Sequence, residues 1–173
     1  MNYFELFDIP VSFKPDKALI PKKYFELQRE THPDFFTKSD EEDQEKALEK
    51  SSMVNKALKV LQNDDLTIEY TLTLLGILKK DEKYDLAPDF LMEMMELNES
   101  LMEAEGSSIP EMEVKVSMLQ NELYEPVKHI INGYNPDNTT EAELLQVKDY
   151  YYKKKYLHRL LERLDGMRNI ASP

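Results

Sequence analysis

The 173-residue chain contains no cysteine. That excludes a disulfide framework, a thiol nucleophile and any cysteine-based metal site. Glycine is scarce at four residues, and none belongs to a phosphate-cradling loop. No apolar run approaches the roughly 18 residues that span a bilayer. Positive charge is also short, the net charge being −12. Residues 1–76 hold 10 basic and 15 acidic side chains, and residues 77–173 hold 12 and 19. Neither half offers the basic surface that binding to a phosphate backbone demands, so neither nucleic acid nor an anionic membrane is expected as a partner. The N-terminus opens with an acidic-aromatic segment rather than a basic or Ser/Arg-rich targeting peptide, which predicts a soluble, cytoplasmic protein.

What the chain does have is Glu, Lys, Leu and Met in abundance, together with ten tyrosines, a composition that favours helices over sheet. Its length suits one domain or two small ones. The most informative local feature is His32-Pro33-Asp34. Proline disfavours a helical conformation in the residue before it, so a helix reaching His32 should stop and turn there. Upstream, Ile20, Tyr24, Leu27 and Thr31 recur at spacings of four, three and four, one face of a helix, with Lys22, Lys23 and Arg29 off that stripe. Downstream, Asp40-Glu41-Glu42-Asp43 suits a helical first turn, with Ser39 as its N-cap, and this helix runs through Ala47, Val54, Ala57, Leu58 and Leu61. A short apolar element, Asn2 to Pro10, precedes all this, and a fourth helix is expected from about Asp65 to Leu75. The tripeptide reads either as an incidental turn or as a recognition tip carrying an imidazole, a rigid ring and a carboxylate.

A boundary falls at the charged stretch Lys79–Lys83, between Gly76 and Pro88. It predicts an N-terminal domain 1–76, a linker 77–87 and a C-terminal domain 88–173 of three antiparallel helices. The first spans about Asp89–Glu105 and stops near Gly106. The second runs from Pro110 to Ile131 with a kink or shift at Pro126, and the third starts at a Thr140/Glu143 capping box and stops at Gly166. On the first of these helices Phe90, Met94, Leu97, Leu101 and Ala104 form a core stripe. Leu91, Met95 and Met102 form a second apolar strip about 100–140° away. Beyond it come Met92, Glu96, Glu99 and Glu103, and the helix carries six acidic residues and no basic one. This pattern fits a binding surface of adaptable Met and Leu beside an unrelieved acidic ridge. It equally fits a wide buried face with a solvated edge.

The chain resembles the J-domain co-chaperones, which stimulate ATP hydrolysis by Hsp70-type chaperones. More closely it resembles the Hsc20/HscB/Jac1 branch that serves iron–sulfur cluster assembly. The resemblance lies in Tyr3-Phe4-Glu5-Leu6-Phe7, Leu27-Gln28-Arg29 ahead of His32-Pro33-Asp34, Phe36, Asn55 with Ala57 and Leu61, and Glu69-Tyr70 leading to Leu72, Leu75 and Gly76. The block from Phe90 to Leu97 lies outside any J-domain and narrows the match to this branch. The resemblance implies an all-α fold: a J-domain helical hairpin with flanking helices, then a C-terminal three-helix bundle. It implies that Lys22, Lys23, Arg29, His32, Pro33 and Asp34 bind an Hsp70-type chaperone (HscA-like). It further implies that Leu91, Met92, Met95, Glu96, Glu99 and Glu103, with Tyr156 in place of another aromatic, bind an iron–sulfur scaffold protein (IscU-like). No cofactor is implied for the chain itself, since ATP and metal belong to the partners. Departures are Thr31 where many J-domains have tyrosine, Phe35 at an often basic position, Glu26 and Glu30 at positions basic elsewhere, and Thr67-Ile68 where the branch usually has Arg-Ala. These favour a dedicated chaperone with a matched surface.

Other chemistry is thin. His129 and His158 lack a matched ligand at metal spacing, and Lys153-Lys154-Lys155 reads as a solvated face. His32 and Asp34 lack the further groups that acid–base catalysis needs, so an enzyme is not expected. Two alternatives remain: a J-domain co-chaperone for an unrelated client, and a helical adaptor in which the tripeptide is only a turn.

Overall fold

The structure, a computed structural model, describes residues 1–104 and 106–171, with the side chains of Ser107, Leu164 and residues 167–171 left aside. Among the described residues it is entirely helical, as a composition rich in helix formers requires. It divides into two compact units, Met1–Leu75 and Gly76–Pro173.

In the first unit, α1 (Tyr3–Leu6) is only one turn long and is held by a capping box. The Glu5 N–H donates to Asn2 Oδ1 and the Asn2 N–H to Glu5 Oε2, both at 2.9 Å. This short element matters because it delivers Phe4, Leu6 and Phe7 to the core. There they meet Ile20 of α2 (Leu19–Thr31) and Val54, Ala57 and Leu61 of α3 (Glu41–Leu61). Thr31 is buried without penalty, its hydroxyl donating to the Leu27 carbonyl at 2.8 Å. The helix α4 (Asp64–Leu74) closes the unit. Its Tyr70 ring stacks on Tyr3 at 4.5 Å, its Thr71 hydroxyl donates to the Ser12 carbonyl, and Thr67 and Ile68 are core residues. Gly76 follows at φ +73°, a left-handed conformation that an L side chain adopts only with strain.

The N-cap of α3 is Asp40, not Ser39. Asp40 has the extended backbone a cap needs, and its Oδ1 accepts from the Asp43 N–H at 2.8 Å. The Ser39 N–H is used one step earlier, on the Phe36 carbonyl.

In the second unit α5 (Pro88–Glu103), α6 (Ile109–Tyr124) and α8 (Glu141–Ala171) share one core built on Met94, Leu97, Leu101, Val116 and Leu157. Pro126 falls in the turn after α6, and the chain resumes as the short α7 (Lys128–Asn132). The Thr140/Glu143 capping box forms, each backbone N–H donating to the other's side chain at 3.2 Å. Gly166 does not stop α8. It stays on the helical side of φ and the helix continues to Ala171. A glycine most often ends a helix by taking the left-handed conformation, which Gly166 does not, and in a helix interior it costs only about 1 kcal/mol against alanine.

The segment 77–87, which its composition suggests is a linker, lies on α8. Lys148 Nζ donates to the Ile77 carbonyl and to Glu82 Oε2, each at 2.9 Å. The Tyr152 hydroxyl donates to Glu82 Oε1 at 3.1 Å, and the Tyr84 hydroxyl to Asp149 Oδ1 at 2.7 Å. The Tyr84 and Tyr152 rings stack at 4.3 Å. Burial, aided by the Asp149 carboxylate, pushes the Tyr84 hydroxyl up in pKa.

Candidate functional site

The first candidate surface begins where α2 ends. His32 leaves the helix at φ −64°, ψ 130°, the extended conformation required ahead of Pro33. Its own N–H still donates to the Gln28 carbonyl at 2.9 Å, so the turn is fixed to the last helical turn. Pro33–Phe36 then form a 3₁₀ turn in which the Phe35 N–H donates to the His32 carbonyl. The Asp34 N–H donates to His32 Nδ1 at 3.2 Å, and the Asp34 carboxylate lies 3.5 Å from the same nitrogen. Both contacts are to Nδ1, so the imidazole is held against the turn by that edge, with Nε2 on the opposite side of the ring. The tripeptide is therefore a bonded tip, with the carboxylate exposed beside the ring.

Of the cations expected on this surface, Lys22 and Arg29 are exposed and lie within about 20° of each other around α2. Lys23 is roughly 100° away from Lys22 and already pairs with Asp8 at 3.4 Å. The helix is held against α3 by a shared acceptor: the Tyr24 hydroxyl and Gln28 Nε2 both donate to Asn55 Oδ1 at 3.0 Å. Phe25 is not among the docking residues the sequence suggests, yet it is 64% exposed on the arc of Lys22 and Arg29. Its helical spacing from them is the signal that could have found it. Phe35 is 67% exposed, with its ring edge-on to the His32 imidazole at 6.2 Å.

The second candidate surface is the outer face of α5. Phe90, Met94, Leu97, Leu101 and Ala104 are buried, so the core stripe is narrow. Met92 and Met95 are each 61% exposed and Met102 is 71% exposed, whereas Leu91 is half-buried. Glu96, Glu99 and Glu103 are exposed, and among the described residues no cation comes within ion-pair distance of them. The buried face of this helix is therefore narrower than a wide core face would be, and Met92, Met95 and Met102 remain exposed outside it. Tyr156 on α8 is half-buried and edge-on to Phe90 at 6.0 Å, so most of its ring serves the α5–α8 packing. Arg163 Nη1 donates to Asn98 Oδ1, a further tie between the two helices.

Lys153-Lys154-Lys155 differs from the solvated face expected of it. Each ammonium sits over an aromatic ring (Phe90, Tyr150 and Tyr151 in turn) at 5.6–5.9 Å, and Lys153 also pairs with Asp149. His129 and His158 face Glu143 and Glu162 at 4.0 and 3.5 Å. Among the described residues no cluster could hold a metal ion, and no helix is long and apolar enough to cross a membrane.

Known proteins resemble this chain over nearly its whole length. Residues 86–165 match the family described as "HSCB C-terminal oligomerisation domain". A "Co-chaperone protein HscB homolog" of Shewanella woodyi is 36% identical over 171 residues, covering 95% of this chain and 97% of that one. A relative of the same name in Vibrio cholerae is 31% identical over 171 residues and 95% of each chain. Among solved structures, "Chaperone HscB from Vibrio cholerae" superposes with a TM-score of 0.76 at 26% identity over 99% of this chain and 100% of that one. The human co-chaperone protein HscB gives 0.81 at 29% identity over 97% and 82%. The chain belongs to the HscB family of co-chaperones.

Proposed function

We propose that the chain stimulates the ATPase of an Hsp70-type chaperone (HscA-like) and delivers to it an iron–sulfur scaffold protein (IscU-like). It does so in the cytoplasm and carries out no chemistry of its own. The observation that carries this is the bonded His32-Pro33-Asp34 tip at the end of a helix that displays Lys22 and Arg29. Residues 1–75 act as the J-domain. Lys22 and Arg29 engage an anionic patch of the chaperone, Lys23 contributing only when it leaves Asp8. The tip then favours the chaperone's hydrolysis-competent state, which requires that it contact that state better than the other.

The second unit holds the scaffold on Met92, Met95, Glu96, Glu99 and Glu103, with Leu91 and Tyr156 contributing their accessible edges. Unpaired carboxylates beside soft apolar side chains suit a partner surface that is basic at its rim and apolar at its centre. Carrying both sites on one chain raises the effective concentration of scaffold at the chaperone.

Chaperone ATPase measurement with wild type and His32→Gln tests the reading. Wild type should stimulate, and the variant should lose stimulation while still binding the scaffold. A folded variant that loses both would contradict the separation of the two surfaces.

A further inference from the structure

We propose that the chaperone is gripped by two aromatic side chains, Phe25 and Phe35, more than by charge. The acceptor face of the Hsp70-type partner is therefore apolar beside its anionic spot. This deepens the reading above and rests on it.

A lone exposed phenylalanine is ordinary on a protein surface. Here two of them are 64% and 67% exposed, Phe25 two turns before the tip on the docking helix and Phe35 directly after it. Phe25 lies about 60° from Lys22 and 40° from Arg29 around α2, on the docking arc itself. Phe35 follows the tripeptide directly, its ring against the imidazole at 6.2 Å. Both rings are thus continuous with the docking surface rather than elsewhere on the unit.

The electrostatics of that arc are weak. Glu26 is also exposed there, about 40° from Lys22, and Glu30 is exposed on the same helix. Lys23 is taken up by Asp8, and Asp34 adds a further negative charge at the tip. Lys22, Arg29 and Lys38, which is exposed just past the tip, are matched by Glu26, Glu30 and Asp34, so little net charge is left for steering, and what remains is screened at physiological salt. Aromatic side chains supply large contact area at low entropic cost and dominate interface energetics where they fill pockets.

The test is a titration of the whole chain into the Hsp70-type chaperone of the same organism, read as half-maximal concentration for ATPase stimulation. Phe25→Lys and Phe35→Lys each add positive charge, so a dock driven by charge would tighten. We expect each to raise the half-maximal concentration about tenfold. Phe25→Ser and Phe35→Ser, which add no charge, should do the same, with unchanged helical content because both rings are largely in solvent. Wild-type stimulation should weaken little between low and physiological salt. Lysine variants as good as wild type, with His32→Gln still inactive, would overturn the aromatic grip and leave the co-chaperone reading standing. A wild type that stimulates no chaperone would overturn both.

Discussion

The backbone N–H of Asp34 donates to the Nδ1 of His32 across the rigid ring of Pro33. The tripeptide is thus a closed unit in which each residue has a separate task. Proline ends the helix, histidine caps the 3₁₀ turn and offers Nε2, and aspartate presents its carboxylate. Pro33→Ala removes the restriction on His32 without touching either polar side chain. Stimulation of chaperone ATPase should fall at least tenfold while the unfolding midpoint barely moves. Full activity in this variant would mean that the turn is set by Asp34 alone.

Asn55 is the acceptor that both Tyr24 and Gln28 use to hold α2 on α3. Asn55→Ala should cost about 1 kcal/mol in urea unfolding, the net worth of such bonds at an exposed site. It should also raise the concentration of chain needed for half-maximal stimulation, because the docking helix loses its fixed pitch. A change in unfolding with no change in stimulation would confine Asn55 to stability.

Lys148, hydrogen-bonded to Glu82, holds that carboxyl below its ordinary pKa of 4.5. A carboxyl with a lower value folded than unfolded binds fewer protons in the native state, so its contribution is complete above pH 4.5 and fades as pH falls through the folded value. Glu82→Gln should therefore lower stability at neutral pH, where the wild-type carboxylate is ionised and bonded to Lys148. The gap between variant and wild type should close below pH 4.5, as followed by urea unfolding. A gap of constant size down to pH 3 would contradict the linkage.

Charge reversal on α5, by Glu96→Lys, Glu99→Lys and Glu103→Lys together, breaks no ion pair among the described residues. Helical content and melting should hold, since three lysines at these spacings repel one another much as the three carboxylates do. Affinity for the scaffold, measured by calorimetry, should drop a hundredfold or more. Unchanged affinity would assign this face to a different client.

Gly166→Ala should stabilise the second unit by up to about 1 kcal/mol. The glycine has no positive φ, and an added Cβ meets nothing within 4 Å. Gly76→Ala should destabilise instead, because its φ of +73° is strained for alanine whatever the space around it.

Much of this was legible from local pattern. Pro33 dictates where α2 ends, and the stripes of Ile20 to Thr31 and Phe90 to Ala104 dictate which faces are buried, because both effects act within a turn or two of the chain. What was hidden depends on distant partners. Lys79–Lys83 looks like a solvated linker until Lys148, 66 residues beyond Glu82, supplies its counter-charge. The three consecutive lysines look solvated until Phe90, Tyr150 and Tyr151 come beneath them. Gly166 misleads for the opposite reason: a glycine permits a helix stop without imposing one. The exposure of Phe25 follows from spacing alone, but its bearing on function emerges only beside the tip.

Single-turnover ATP hydrolysis by the Hsp70-type chaperone, with this chain, with the iron–sulfur scaffold, and with both, tests the central claim most directly. The account predicts stimulation by the chain alone and a larger, more than additive stimulation when the scaffold is present. Stimulation that the scaffold leaves unchanged would contradict delivery, and no stimulation at all would contradict the co-chaperone role of the His32-Pro33-Asp34 tip.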